Sequence, residues 1–190
     1  MGTTITVFAG SSDVVPAPFL EAGHSLGALL AQRGHTMVYG GGNIGLMGAL
    51  VRAAKGGGAH TIGVIPESLN RPPIVYDNCD ELIVTADMRH RKTIMEEKGE
   101  AFIALPGGFG TIEEFMELLT LKQLHYHNKA IALLNTQGYY DPLLQMFETV
   151  YENHFAKQGS RNIYFVSKYP SEILDYIESY KPEDVVTKWY

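Results

Sequence analysis

The sequence has one cysteine, Cys79, which excludes an intrachain disulfide framework and any multi-cysteine metal site and fits a reducing compartment. It has no long uninterrupted hydrophobic stretch, so no membrane span is expected. No charged segment precedes the first apolar run, "ITVFAG", so no signal peptide is expected either. "MGTTIT" matches a myristoylation pattern in form, but Ile5 to Phe8 read as the start of the first core strand. Basic residues are in deficit, 15 Lys and Arg against 21 Asp and Glu for a net charge of -6, and no basic run argues for nucleic acid or an acidic membrane surface. The closest histidine pair, His125 and His127, lacks a nearby cysteine or an H-E-x-x-H frame, so no metal site is expected. A G-x-S-x-G nucleophile elbow is also missing. What remains is a cytoplasmic globular chain whose 190 residues fit one domain, residues 1–190.

Short apolar, partly β-branched runs recur at "ITVFAG", "TMVYG", "TIGVIP", "ELIVTA", "AFIALPG", "AIALLN" and "YFVS". Continuous rather than alternating apolar character means burial on both faces. Helical patterns lie between them, in "APFLEAGHSLGALLAQRG", "IGLMGALVRAAKGG", "MRHRKTIMEEKG", "TIEEFMELLTLKQLHY", "YYDPLLQMFETVYENHF" and "SEILDYIESY". Gly34, Gly56 and Gly99 stand where helix C-terminal caps are expected. The alternation predicts a doubly wound, Rossmann-like α/β fold: a parallel sheet of about seven strands with helices on both faces. The terminal "KPEDVVTKWY" reads as a polar tail, loose or docked on a partner.

In such sheets ligands bind outside the carboxyl ends of the strands, and the unusual residues fall there. Ser11 and Ser12 follow the first strand as ligand contacts rather than nucleophiles. "YGGGNIGLMG" holds G-x-G-x-x-G as Gly40, Gly42 and Gly45, open to three readings: a dinucleotide site, a phosphate or ribose contact by bare backbone at Gly42, or turn packing. "PGGFGT" is a second glycine-rich strand-to-helix loop without a P-loop lysine. Gly107, Gly108 and Gly110 expose amides, and Thr111 adds a hydroxyl, at the positive end of a helix dipole, which suits a monophosphate. Thr111-x-x-Glu114 also has the form of a capping box, and on residues alone both readings stand.

At about 100° per residue, the helix that follows is apolar on two sides, through Ile112, Phe115, Met116 and Leu119 on one and Leu118 and Leu121 on another. One side meets the sheet and the other a second subunit. Glu114 lines up with Leu118, Leu121 and His125 and faces a partly closed space. In "DMRHRKTIMEEKG", Asp87 is the expected N-cap, Arg91 and Lys92 share a face with Met88 and Met95, and Lys92 and Glu96 have the spacing of an i,i+4 pair. Two cations at a strand's carboxyl end suit an anionic substrate; covering apolar surface with their stems is the alternative.

Taken in order, "VFAGSS", "VYGGGNIGLMG", "IGVIP", "DMRHRK", "ALPGGFGTIEE", "LLN" and "GYYDPLL" resemble the LOG (Lonely Guy) family of cytokinin riboside 5'-monophosphate phosphoribohydrolases. The diagnostic elements are M-x-x-R-K, here Met88 to Lys92, and P-G-G-x-G-T-x-x-E, here Pro106 to Glu114. The resemblance implies hydrolysis of the N-glycosidic bond of a purine riboside 5'-monophosphate, cytokinin-type or AMP, to free base and ribose 5-phosphate. It implies Arg91 and Glu114 as catalytic residues and no cofactor. Gly107, Gly108, Phe109, Gly110 and Thr111 become the phosphate loop, with Met88, Lys92, Glu113 and Thr120 as further contacts. It also implies a homodimer. Some members carry an older lysine decarboxylase label, and no pyridoxal phosphate site is visible in the sequence. The chain departs from the family pattern at Arg89, in "TLKQLHYH" and in "NRPPIVYDNCDE", all expected beside the base. A non-catalytic nucleotide or cofactor carrier on the same fold, and an NAD-dependent oxidoreductase, are the competing classes.

Overall fold

The computed structural model describes residues 2–182. Seven strands, β1 (Thr4–Phe8), β2 (Thr36–Tyr39), β3 (Thr61–Pro66), β4 (Glu81–Thr85), β5 (Ala101–Ala104), β6 (Ala130–Leu134) and β7 (Phe165–Ser167), form a sheet in the order β4-β3-β2-β1-β5-β6-β7. Each pairing is parallel. The chain winds outward from β1 to β4, then returns to place β5 on the other side of β1. The switch point therefore lies between β1 and β5, where successive loops part and leave a crevice.

Six helices cover the sheet: α1 (Ala17–Gln32), α2 (Gly45–Gly56), α3 (Met88–Lys98), α4 (Phe109–Gln123), α5 (Asp141–Glu152) and α6 (Pro170–Ser179). Side chains along a strand alternate between faces, and the two cores divide accordingly. Ile5 and Val7 join Met37, Ile103 and Ala132 under Leu26, Leu30, Leu50 and Ile173 of α1, α2 and α6. Phe8 joins Val38, Val64, Phe102 and Ile131 under Met95, Phe115, Leu118 and Phe147 of α3, α4 and α5. Thr6, the polar member of β1 on this second face, donates its hydroxyl to Met95 O at 2.8 Å, so its burial leaves no unmet donor.

The elements match those expected, with small shifts. α2 runs through Gly56 and is capped at Gly57, one residue later than the cap expected. α4 begins at Phe109, with Gly108 as N-cap and no side-chain cap bond. Thr111 and Glu114 therefore lie inside the helix, and no capping box forms. The expected Lys92–Glu96 pair is also replaced: Lys92 turns to α4, where its Nζ meets Glu113 and, at 2.9 Å, Glu117. Asp87 does cap α3, accepting from His90 N at 2.8 Å. From Glu183 onward the expected tail lies outside the described residues. Among the described residues no helix is long and apolar enough to cross a membrane.

α1 and α2 pack closely because Gly27 faces Leu50, where a Cβ would stand 2.3 Å from the Leu50 carbonyl oxygen. Gly56, in the last turn of α2, has open space where its Cβ would be. Gly27→Ala is expected to destabilise by about 2 to 3 kcal/mol through overpacking, whereas Gly56→Ala gains about 0.5 kcal/mol from helix propensity. Urea unfolding of the two variants measures the contrast.

Candidate functional site

At the switch point the backbone is drawn together by Gly10 N donating to Pro106 O at 3.1 Å and Met47 N to Gly10 O at 3.0 Å. Beyond these bonds opens a crevice of about 260 Å³. Of the residues expected at the site, Ser11, Gly42, Met88, Arg91, Gly108, Gly110, Thr111, Glu113 and Glu114 line it. They come from the ends of β1, β2, β4 and β5, a convergence that only the folded sheet produces.

The floor is an ion pair. Arg91 of α3 reaches across β3, where its Nε donates to Val64 O at 3.0 Å, and its Nη1 donates to Glu114 Oε1 at 3.1 Å. Both side chains are 8% exposed. Gly40 makes this reach possible, since a Cβ there would lie 1.9 Å from Arg91 Nη2. Burial pushes the Glu114 carboxyl up to about 7, with Arg91 pulling against it. A carboxylate that ionises near neutrality in a crevice is poised for proton transfer or for stabilising a developing positive charge.

Above the floor stands the start of α4. The first backbone bond of the helix is Ile112 N to Gly108 O at 3.1 Å, so the amides of residues 109–111 have no carbonyl behind them to accept. Gly108 and Gly110 have open space where side chains would be, and neither has a positive φ. The fold does not require glycine at either position; an approaching ligand would. Gly107 packs differently, as a Cβ there would strike Thr111 Oγ1 at 2.2 Å.

The other glycine-rich loop uses its amides within the protein. Asn43 N donates to Ile74 O at 2.8 Å, and Gly42 N to Met47 Sδ at 3.3 Å. Gly42 and Asn43 thus spend their amides on turn packing, with Gly42 at the crevice wall.

Four expected residues stand apart from this cavity. Lys92 is behind α4 with Glu113 and Glu117, and Gly107 is braced by Tyr139 Oη donating to its carbonyl at 2.7 Å. Phe109 is 94% exposed. Thr120 is exposed and donates to Met116 O at 2.8 Å. Conversely, Met47, Ile65, Leu69 and Ile74 line the crevice without having been singled out from the sequence. The signal for Ile74 was its place in the divergent "NRPPIVYDNCDE" segment, and for Tyr139 its place in "GYYDPLL". Among the described residues no group of three or more His, Cys, Asp or Glu is placed to hold a metal ion.

Fold and crevice together define the class, a Rossmann-like α/β protein with a crevice at the switch point. Residues 47–177 match the protein family described as "possible lysine decarboxylase". The chain is 40% identical over 186 residues to the probable cytokinin riboside 5'-monophosphate phosphoribohydrolase LOGL2 of Oryza sativa subsp. japonica, covering 97% of this chain and 76% of the relative. It is 41% identical over 186 residues to the cytokinin riboside 5'-monophosphate phosphoribohydrolase LOG4 of Arabidopsis thaliana, covering 97% of this chain and 86% of the relative. Among solved structures, the molybdenum cofactor binding protein from the phototrophic bacterium Rippkaea orientalis superposes with a TM-score of 0.72 at 25% identity, over 94% of this chain and 97% of that one. The molybdenum cofactor carrier protein from Chlamydomonas reinhardtii gives 0.69 at 23% identity, over 92% and 96%, a likeness of fold. The chain belongs to the LOG family.

The raised Glu114 carboxyl has a consequence for stability. In the unfolded chain it loses its proton near 4.5, while in the folded protein it holds that proton up to about 7. Between these values the folded state carries more protons, so this group's contribution to stability is full below about 4.5 and is lost as pH rises to about 7. Compared with Glu114→Gln, the wild type is expected to lose stability across this window and run parallel above it, as measured by urea unfolding at a series of pH values.

Proposed function

We propose that the chain hydrolyses the N-glycosidic bond of a purine riboside 5'-monophosphate, releasing the free base and ribose 5-phosphate, a reading prompted by relatives named cytokinin riboside 5'-monophosphate phosphoribohydrolases. The observation that carries this reading is the buried Arg91–Glu114 pair directly below a helix start with unused amides. The phosphate sits at residues 108–111, where the dipole of α4 and the free N–H groups favour an anion. Glu114 then faces the ribose. As the C–N bond breaks, positive charge grows on the sugar and the carboxylate stabilises it, orients the attacking water and accepts its proton. Arg91 holds Glu114 in place and supports charge on the departing base. Met88, Leu69 and Ile74 give the remaining wall an apolar character suited to a purine. Lys92, Phe109 and Thr120 enter the proposal as contacts made beyond the single-chain crevice.

The chain works as one domain over residues 1–190, in the cytoplasm, as a homodimer. The outward side of α4 supports pairing, with Phe109 at 94% exposure and Met116 at 37% on a helix whose other side is in the core. Carrier function, in which nucleotide is bound and returned intact, is the second reading, prompted by the likeness to molybdenum cofactor carriers.

Incubation with AMP and prenylated AMP followed by chromatography separates the readings: base and ribose 5-phosphate support hydrolysis, and bound intact nucleotide supports the carrier. Glu114→Gln is expected to lower turnover by about 10²- to 10⁴-fold while nucleotide still binds; near-normal product release would refute the assignment. Gly110→Ala gives effects of opposite sign. Filling the open space at the helix start is expected to stabilise the fold by about 0.5 to 1 kcal/mol yet raise the nucleotide Kd about tenfold by crowding the phosphate, readable by thermal unfolding and calorimetry.

A further inference from the structure

Glu114 floors the crevice and also walls a second, much smaller cavity behind it. That cavity is about 10 Å³, lined by Phe8, Lys92, Glu96, Glu114, Glu117 and Leu118, and is near the lower limit of space that holds one water. Lys92, Glu96 and Glu117 also line an open cleft of about 220 Å³ with Arg89 and Thr93. The buried carboxylate thus borders solvent-accessible space on two sides: the ligand crevice in front and, across a water-sized gap, the cleft between α3 and α4. Its Oε1 accepts from Arg91 at 3.1 Å.

The rear opening is charged on both helices. Lys92 Nζ lies 2.9 Å from Glu117 Oε2 and also binds Glu113; burial works against its charge, yet these two carboxylates hold it above its ordinary value. Glu96, one turn further along α3, is half-buried, and burial pushes its carboxyl up, with Lys129 opposing and Glu117 and Glu97 adding to the rise. Glu114 is therefore faced by Arg91 and Lys92 from α3 and by Glu113 and Glu117 from its own helix, with Glu96 across the gap.

We propose that Glu114 exchanges its proton with solvent through this rear gap, Glu117 and Glu96 receiving it and Lys92 acting as the positioning residue that holds Glu117 at the opening. This rests on the hydrolytic reading of the crevice. In that reaction the attacking water gives its hydroxyl to the anomeric carbon and its proton to Glu114. The C–N electron pair leaves with the base, which takes a proton from solvent. Once the base has left and taken its proton from solvent, ribose 5-phosphate still covers the front of Glu114, so the proton on Glu114 leaves across the rear gap to Glu117 or Glu96 and then to bulk. One proton is released and one taken up, and the carboxylate is reset while product still fills the crevice.

The test uses the full chain carrying Glu96→Gln and Glu117→Gln together, which keeps shape and removes both acceptors. In ligand-free protein, the carboxyl infrared band assigned by its loss in Glu114→Gln is followed against pH. Its midpoint is expected to fall by about half a pH unit when the two neighbouring negative charges are removed. With nucleotide, kcat is expected to fall about tenfold with KM unchanged, imidazole is expected to restore most of the loss as a diffusible proton acceptor, and Glu117→Asp retains most of the activity. An unmoved infrared midpoint, an unchanged kcat, or a loss that imidazole does not rescue overturns the rear route. Failure of the wild type to hydrolyse any nucleotide sinks the hydrolytic reading and with it the route as a step of turnover, while the infrared midpoint separately decides whether Glu114 is coupled to the rear carboxylates.

Discussion

The contact between Arg91 and Glu114 is the constraint around which the site is organised. Two opposite charges are taken out of water together, and the cost of doing so is met only if geometry and further hydrogen bonds are good. Arg91 meets that condition through Val64 O and Glu114. Several neighbouring choices then follow. β2 must end in a residue without a side chain at Gly40, α3 must start where Asp87 caps it, and α4 must start early enough to turn Glu114 inward. Truncating Glu114 would strand the buried Arg91 guanidinium at a cost of about 3 to 5 kcal/mol, so the pair ties the chemistry of the site to the integrity of the fold.

α4 has two jobs at one end. Its unused amides face the crevice, and five residues later it supplies the carboxylate at the floor. The rise of about 1.5 Å per residue separates these by less than 10 Å along the axis, the scale of a ribose 5-phosphate. Tyr139 steadies the preceding loop from outside through Gly107 O, so the helix start is held by packing and hydrogen bonding rather than by a side-chain cap.

Much of the fold was legible in the sequence because burial on both faces favours apolar runs, and β2, β3, β5 and β6 carry one, while in β1 only Thr6 interrupts it. The site was legible in part. Arg91, Glu114, Gly108 and Gly110 stand out in the sequence because their chemistry is local to two motifs, and the fold brings them to one crevice. Of the two readings of Thr111-x-x-Glu114, the capping box has the right spacing, but the helix starts two residues before Thr111 and leaves no cap position for it. Lys92 was read with Glu96 on its own helix, while tertiary packing offered Glu113 and Glu117 on the next one. Gly40 could be recognised as unusual, but its reason, the passing guanidinium, depends on a residue 51 positions later in the chain.

The strand order has a consequence for how such a chain can change. Every residue lining the crevice lies before position 115, from the end of β1 to the first turns of α4, while β6 supports it from beside β5 and Tyr139 and Tyr140 brace the loop after β5 through Gly107 O and Leu105 O. The latter part of the molecule is thus a buttress, free to vary wherever volume and apolar character are kept. Novelty in what the crevice accepts has to come from the earlier part, and there chiefly from the segment around Leu69 and Ile74, which borders the ligand without carrying the charges.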